Sequence, residues 1–302
     1  MLYLIGIGLS DPEDVTVRGL ELIRSSARVF LDAYTSILSV GKDRLEEFYG
    51  RPVELADRDL VEQGDVILAA AQSADVSFLV VGDPLGATTH ADLAMRARQR
   101  GVAYRVVHNA SYHRRRLLRA VVHLRRDRLV PFWDAVSRPS SFLDKLLGNW
   151  ERNLHTLCLL DIRVREPTME SLLRGRPEFR FMSCSVAAEQ LLALLAEASA
   201  AEDNADLLAD SDAAELRNRL NRRKQLSPPE RLLTVGLARL GSPDERIAAC
   251  SLADIASRDL GPPLHSLVVP APRLHPVEAE FLRQFADTEA DAALVDASAA
   301  ER

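Results

Sequence analysis

Apolar positions along the chain fall into two patterns. Leu2–Ile7 is a short apolar run closed by Gly6-Ile7-Gly8, and Val76–Val81, apolar but for Ser77, is the strongest strand signal and runs into Gly82-Asp83-Pro84. Short apolar runs bounded by glycine predict strands buried on both faces, as in a parallel sheet. Arg28–Leu31, Val53–Ala56 and Ala103–Val107 predict three more strands. Between the strands the apolar spacing changes to three and four. Val17, Leu20, Leu22 and Ile23 predict a helix opened by Asp11, Pro12 and Asp14, residue types that suit a first turn. Val61–Ala71 and Thr89–Arg98 predict two further helices. Strand alternating with helix over residues 1–110 predicts an open, mostly parallel sheet with crossover helices. Ligands of such sheets sit beyond the carboxyl ends of the strands. That marks the segments after Ile7, Val81 and Val107.

The pattern after residue 110 is less regular. Leu157–Asp161, Leu232–Leu240 and Leu264–Val269 predict strands, Val186–Ala198 a long helix, and the surroundings of Phe281 a short terminal one. The expected organisation is an α/β chain with an N-terminal domain over 1–110 and a C-terminal mixed α/β domain over 111–286. A tail over 287–302, rich in Ala and Asp, is expected to fray. Within the second domain, residues 202–224 carry Ala, Asp, Glu, Asn and Arg with little apolar periodicity and read as a solvated insertion. A length of 302 residues accommodates two domains at roughly 100–200 residues each.

Composition narrows the classes. The chain is 47% hydrophobic and 27% charged, an ordinary globular balance. Its 38 basic and 44 acidic residues leave a net charge of −6, which speaks against a general nucleic-acid partner. No apolar run approaches the roughly 20 residues of a membrane span, and the opening Met-Leu-Tyr-Leu-Ile-Gly lacks the basic region of a signal peptide. The expectation is a soluble, cytoplasmic protein without a membrane partner. Cys158, Cys184 and Cys250 are far apart and form no CxxC pair, so they read as reduced, buried thiols. No His, Cys, Asp or Glu cluster has metal-ligand spacing, and no metal is expected.

Candidate chemistry gathers at the marked strand ends. Gly6-Ile7-Gly8-Leu9 reads either as a turn that lets a ligand approach the backbone or as an ordinary strand-to-helix turn. It is not a dinucleotide fingerprint, because Asp11 stands where the third glycine would be. Asp83, between Gly82 and Pro84, could bond a ribose hydroxyl or an amine, or simply cap its own turn. His90 and His108 lie near the same ends. A lone histidine is more often structural than catalytic, and no Ser-His-Asp order stands out.

Longer strings point to a family. The opening MLYLIGIGLSDPEDVTVRGLELI, the strings AYTSIL and FYGR at Ala33–Leu38 and Phe48–Arg51, and FLVVGDPLGATTHADL at Phe78–Leu93 resemble the diphthine synthase family. So do YRVVHNAS at Tyr104–Ser111, HTLCLLDI at His155–Ile162, VGLARLG at Val235–Gly241 and GPPLHSL at Gly261–Leu267. These are tetrapyrrole-methylase-like methyltransferases that use S-adenosylmethionine. The resemblance implies a two-domain methylase fold, a homodimer, and methyl transfer to the 3-carboxy-3-aminopropyl histidine of translation elongation factor 2, ending in a methyl ester. It places the cofactor contacts on Leu9, Asp83, Gly86, Ser111, Leu160, Leu240 and His265, with Tyr112 at a further contact position usually held by an aliphatic residue. No catalytic base is singled out. A methylase of tetrapyrrole precursors, and an inactive homologue that binds cofactor or RNA, are the alternatives.

One stretch departs from the resemblance. His113–Val130 reads HRRRLLRAVVHLRRDRLV, where the family has small residues. Read one base downstream, one choice of codons for Arg115–Ala120 spells Val-Gly-Cys-Cys-Gly, and one for His123–Val130 spells Thr-Phe-Gly-Glu-Thr-Val-Ser, both close to the family. We read the stretch as frame-shifted; an uninterrupted transcript encoding the arginines would refute a sequence error. As written, its arginines would sit beside the cofactor, where burying unpaired charge costs several kcal/mol each, and the stretch is expected to swing into solvent.

Overall fold

The chain, in a computed structural model, is described at residues 1–33, 40–63, 65–86, 90–110, 125–134, 137–164, 179–200, 222, 226 and 228–299. It divides into two units, Met1–Leu118 with Leu240–Pro243, and Arg119–Arg239 with Asp244–Arg302. The return of 240–243 to the first unit has no counterpart in a single linear boundary.

In the first unit the apolar runs become strands β1 (Leu2–Gly6), β2 (Arg28–Asp32), β3 (Glu54–Ala56), β4 (Val76–Val80) and β5 (Tyr104–Val107). All neighbours pair in parallel, in the order β3-β2-β4-β1-β5. Alternate residues serve opposite faces. Leu2, Leu4, Val76, Phe78 and Val80 pack in one cluster, and Ile5, Ile7 and Leu79 in another. Both faces of β1 and β4 are therefore covered, which is why these two strands are apolar apart from Ser77, whose buried hydroxyl pairs with that of Ser26 at 2.7 Å. The connections carry α1 (Val17–Ser25), α2 (Lys42–Tyr49), α3 (Arg58–Gln63), α4 (Asp65–Ser73) and α5 (His90–Gln99). The acidic opening Asp11–Asp14 forms a single 3-10 turn, and α1 starts later, at Val17, with the Thr16 hydroxyl accepting from Gly19 N–H at 3.0 Å. The helix expected over Val61–Ala71 is two short helices, α3 and α4.

The second unit holds β6 (Arg125–Val130), α6 (Ser141–Trp150), β7 (His155–Leu160), β8 (Ile162–Val164), β9 (Phe179–Phe181), α7 (Cys184–Ala200), β10 (Leu233–Ala238), β11 (Arg246–Ser251), α8 (Leu252–Ser257), β12 (His265–Val269), α9 (Pro276–Arg283) and α10 (Glu289–Ala297). Its main sheet runs β11-β10-β12-β7-β6 and is antiparallel except for the β6–β7 edge. Leu143, Leu146, Cys158, Leu191, Leu252 and Leu267 belong to its core.

Two expectations are corrected here. The tail does not fray over 289–297. It is α10, opened by a reciprocal capping box between Thr288 and Asp291 and anchored by buried Val295. Ion pairs from Arg258 to Asp287 (2.5 Å) and from Arg283 to Asp296 (2.8 Å) bind it further. Capping and burial replace the apolar periodicity that this Ala-rich segment lacks. The arginine-rich stretch does not swing into solvent over 125–130 either, because there it is β6, hydrogen-bonded to β7 in parallel. Within β6, Arg128 is half-buried and Val130 buried, while Leu129 is 58% exposed. That inverts the usual alternation of a half-buried strand. With the codon choice given above, the shifted frame would put valine in place of Arg128 and serine in place of Leu129, which would restore it. Residues 113–124 of that stretch, and 202–221 and 223–224 of the expected insertion, lie outside the described residues.

The three cysteines are free and buried, and burial pushes each thiol up to about 12. Thiolate is the reactive form. A colorimetric thiol reagent is therefore expected to find less than about one-tenth of the thiols in the folded protein within minutes, and all three after guanidinium unfolding. Rapid labelling of the folded chain would contradict this burial.

Candidate active site

Strands β4, β1 and β5 are neighbours, so the loops leaving their carboxyl ends are neighbours too. Glycine makes the approach possible. Gly82 N–H donates to Gly8 O at 2.7 Å, both residues having positive φ. A Cβ on Gly6 would run into the Gly82 carbonyl and come within 2.8 Å of the Asn109 Cβ. Asn109 ties the loops together, its Nδ2 donating to Gly6 O at 2.8 Å and Asp14 O at 3.0 Å. The Asp14 carboxylate closes the β1 loop by accepting from the N–H groups of Leu9, Ser10 and Asp11. Ser10 Oγ donates to Gly241 O at 2.8 Å, which fastens the 240–243 segment to the same loop. The sequence alone assigns Asn109 no role; a polar amide two residues past the end of β5 is the signal it offers.

Asp83 caps its own turn and reaches the loop after β5. Its Oδ1 accepts from Leu85 N–H at 3.0 Å, the self-capping turn. Its Oδ2 meets His108 Nδ1 at 2.8 Å and accepts from Asn109 N–H at 3.3 Å. Burial pushes the carboxyl up, but the hydrogen bonds from Leu85, His108 and Asn109 outweigh it and hold Asp83 below its ordinary value. The group is an ionised acceptor at neutral pH with lone-pair capacity left over. His90, by contrast, is buried beside Asp32 at 3.4 Å, with neither side chain exposed, and stacks edge-on with Phe78. It is a core histidine.

The expected contact residues fall into two sets. Leu9, Asp83, Gly86 and Leu240 belong to the first unit, in loops that the bonds above connect. Leu160 and His265 belong to the second unit, where they follow directly on the Leu159–Ser266 pair of β7 and β12. The His265 ring is fully engaged: Nδ1 accepts from Cys184 N–H at 3.2 Å, and Nε2 lies 3.0 Å from the carbonyls of Gly261 and Pro262. Its backbone is what it can offer a ligand. Arg239, just before Leu240, clamps the β10–β11 turn by bonding Asp244, Leu260 O and Pro262 O. Ser111 and Tyr112 lie outside the described residues. Among the described residues no group of three or more metal-ligating side chains converges, and no helix is long and apolar enough to cross a membrane.

Buried His155 and half-buried His265 set an acid limit. Burial pushes His265 down against the pull of the Pro262 and Gly261 carbonyls, and pushes His155 down against the pull of Glu278. Unfolded histidine titrates near about 6.5, so below that pH the unfolded chain binds more protons than the folded one and stability falls. The melting midpoint is expected to drop by about 3 °C or more from pH 7.5 to 5. His265→Asn, which keeps an acceptor for Cys184 N–H but cannot be protonated, should lose part of that slope. A flat profile would count against it.

Residues 1–185 match the family Tetrapyrrole (Corrin/Porphyrin) Methylases, more than half of the chain. The chain belongs to that family. This methylase is 45% identical over 296 residues to the diphthine methyl ester synthase of Homo sapiens, covering 94% of this chain and 95% of that protein. To the diphthine methyl ester synthase of Aspergillus fumigatus it is 42% identical over 310 residues, covering 99% and 97%. A solved diphthine synthase structure superimposes with a TM-score of 0.72 at 28% identity, covering 96% of this methylase and 98% of that chain. The two-domain α/β methylase fold expected from the resemblance is therefore present, and the methylase falls in the diphthine synthase group.

Proposed function

We propose that this methylase transfers methyl groups from S-adenosylmethionine to the amino nitrogen, and finally to the carboxylate, of the 3-carboxy-3-aminopropyl histidine of translation elongation factor 2. It does so as a cytoplasmic homodimer. The observation that carries the reading is the 45% identity to diphthine methyl ester synthase along nearly the whole chain. The family match alone would admit a tetrapyrrole precursor as acceptor; the near full-length identity speaks for elongation factor 2.

The proposed cofactor contacts are Leu9, Asp83, Gly86, Ser111, Tyr112, Leu160, Leu240 and His265. Several features of the loops support them. Asp83 is ionised with acceptor capacity left for a ribose hydroxyl or an ammonium group. Gly82 N–H reaches Gly8 O at 2.7 Å, and a Cβ on Gly8 would overlap the Asp14 side chain. Leu9, Gly86 and Leu240 are half-buried and offer main-chain groups. When bound, S-adenosylmethionine supplies an activated methyl with its own leaving group. The protein then has to hold the acceptor in line with that methyl, which is a matter of orientation, and no metal is called for.

Calorimetric titration of S-adenosylmethionine or its demethylated product tests the reading. One-site binding followed by methylation of elongation factor 2 is the expected result. No binding, but binding restored when residues 113–130 are replaced by their shifted-frame reading, would assign the loss to that stretch. No binding in either form would overturn the methyltransferase reading for this chain.

A further inference from the structure

The Asp83–His108 pair holds an imidazole in one orientation. Asp83 is ionised and can only accept, so His108 Nδ1 must carry the hydrogen of their 2.8 Å bond. The neutral ring then keeps its lone pair on Nε2. The pair is lopsided: the Asp83 side chain is 10% exposed and the His108 side chain 61%. Nε2 has no hydrogen-bond partner among the described residues. A buried carboxylate behind an outward-facing imidazole fixes tautomer and direction together, as carboxylate–histidine pairs do in acid–base sites. The other charged groups of the β1 loop are Asp11, whose Oδ1 accepts from Glu13 N–H, the exposed Glu13, and Asp14, already closed on the N–H groups of Leu9, Ser10 and Asp11. The 240–243 loop, Leu-Gly-Ser-Pro, carries no charge. His108 lies between Asp83 and Ser111 in the chain, amid the proposed cofactor contacts.

We propose that His108 is the general base for methylation of the acceptor nitrogen, with Asp83 as its positioning residue. This rests on the acceptor reading above, an amine followed by a carboxylate. The acceptor ammonium passes one proton to His108 Nε2, which becomes imidazolium. The freed nitrogen pair forms the new bond to the methyl carbon while the carbon–sulfur bond breaks and its pair stays on sulfur. The imidazolium returns its proton to water before the next transfer. Methylating the carboxylate requires no proton removal, so that step runs without His108.

The test uses the full chain and two acceptors: elongation factor 2 bearing the unmethylated side chain, and the form already trimethylated on nitrogen. His108→Asn keeps an N–H donor toward Asp83 but offers no basic nitrogen. Its affinity for S-adenosylmethionine, measured by calorimetry, is expected to stay within threefold of the unaltered protein. Nitrogen methylation at pH 7 should fall by about 10²–10³-fold. The deficit should shrink as the pH passes about 8, where an amino group loses its own proton, and methyl ester formation should stay within threefold. Equal loss on both acceptors with no change in pH profile would overturn the proposal in favour of a structural role. A tenfold weaker cofactor affinity would overturn it in favour of cofactor anchoring, and unimpaired nitrogen methylation in favour of solvent as the base. If the unaltered protein binds cofactor yet methylates neither acceptor, the acceptor reading fails by itself and takes the proposal with it.

Discussion

Asp83→Ala is expected to weaken S-adenosylmethionine binding by about 100-fold, roughly 2.7 kcal/mol. The carboxylate is the shared acceptor of Leu85 N–H, Asn109 N–H and the His108 ring. Removing it leaves donors on two loops with no common partner. An unsatisfied buried donor costs about 1–3 kcal/mol, but His108 is exposed and water can serve it. The loss therefore falls on the geometry of the loops more than on overall stability. Asp83→Asn should sit between, about tenfold weaker, because its amide oxygen can still accept from Leu85 while its amide N–H faces the Nδ1 hydrogen of His108. Calorimetry reads the affinity and thermal melting the fold. Near-normal affinity in Asp83→Ala would remove Asp83 from the binding site.

Gly6→Ala should act on the same loops from below. The added Cβ would overlap the Gly82 carbonyl and lie 2.8 Å from the Asn109 Cβ and 3.1 Å from the Pro84 Cδ. The first of these is backbone and cannot turn aside, so β1 and β4 must separate at their carboxyl ends. Overpacking of this kind costs about 1–3 kcal/mol, a fall in melting midpoint of about 3–10 °C, and should carry cofactor affinity down with it. Gly41→Ala is the control, because a Cβ there meets nothing within 4 Å. At that helix N-cap the change should cost about 1 kcal/mol or less. Equal effects at the two glycines would show that the strand ends are not packed as described.

The sequence made the first unit plain for a physical reason: β1 and β4 are covered on both faces, so their residues are apolar apart from Ser77, whose hydroxyl pairs with that of Ser26. Their closing glycines and Asp83 marked loops that the fold brings side by side. Elsewhere burial is one-sided or borrowed. β11 exposes Arg246 and half-exposes Ile247 and Ser251, leaving only Ala248, Ala249 and Cys250 to announce a strand. β6 is an edge strand whose six residues include three arginines, and it forms because β7 supplies a hydrogen-bonding partner. α10 holds its place through its cap and Arg258 rather than through an apolar stripe. The Asp83–His108 pair needs two strand ends brought side by side, which no spacing along the chain records. The cofactor contacts proposed for the backbone of Leu9, Gly86 and Leu240 likewise have no side-chain signature.

The bond from Ser10 to Gly241 spans 231 positions, which bears on synthesis. A ribosome adds about 5–20 residues per second, so the β1 loop emerges more than ten seconds before its fastening segment exists. Over that interval the loop has its Asp14 closure but not its tie to 240–243. A gene fragment ending at residue 118 would be caught permanently in that half-finished condition, with the sheet made and the β1 loop never fastened to 240–243.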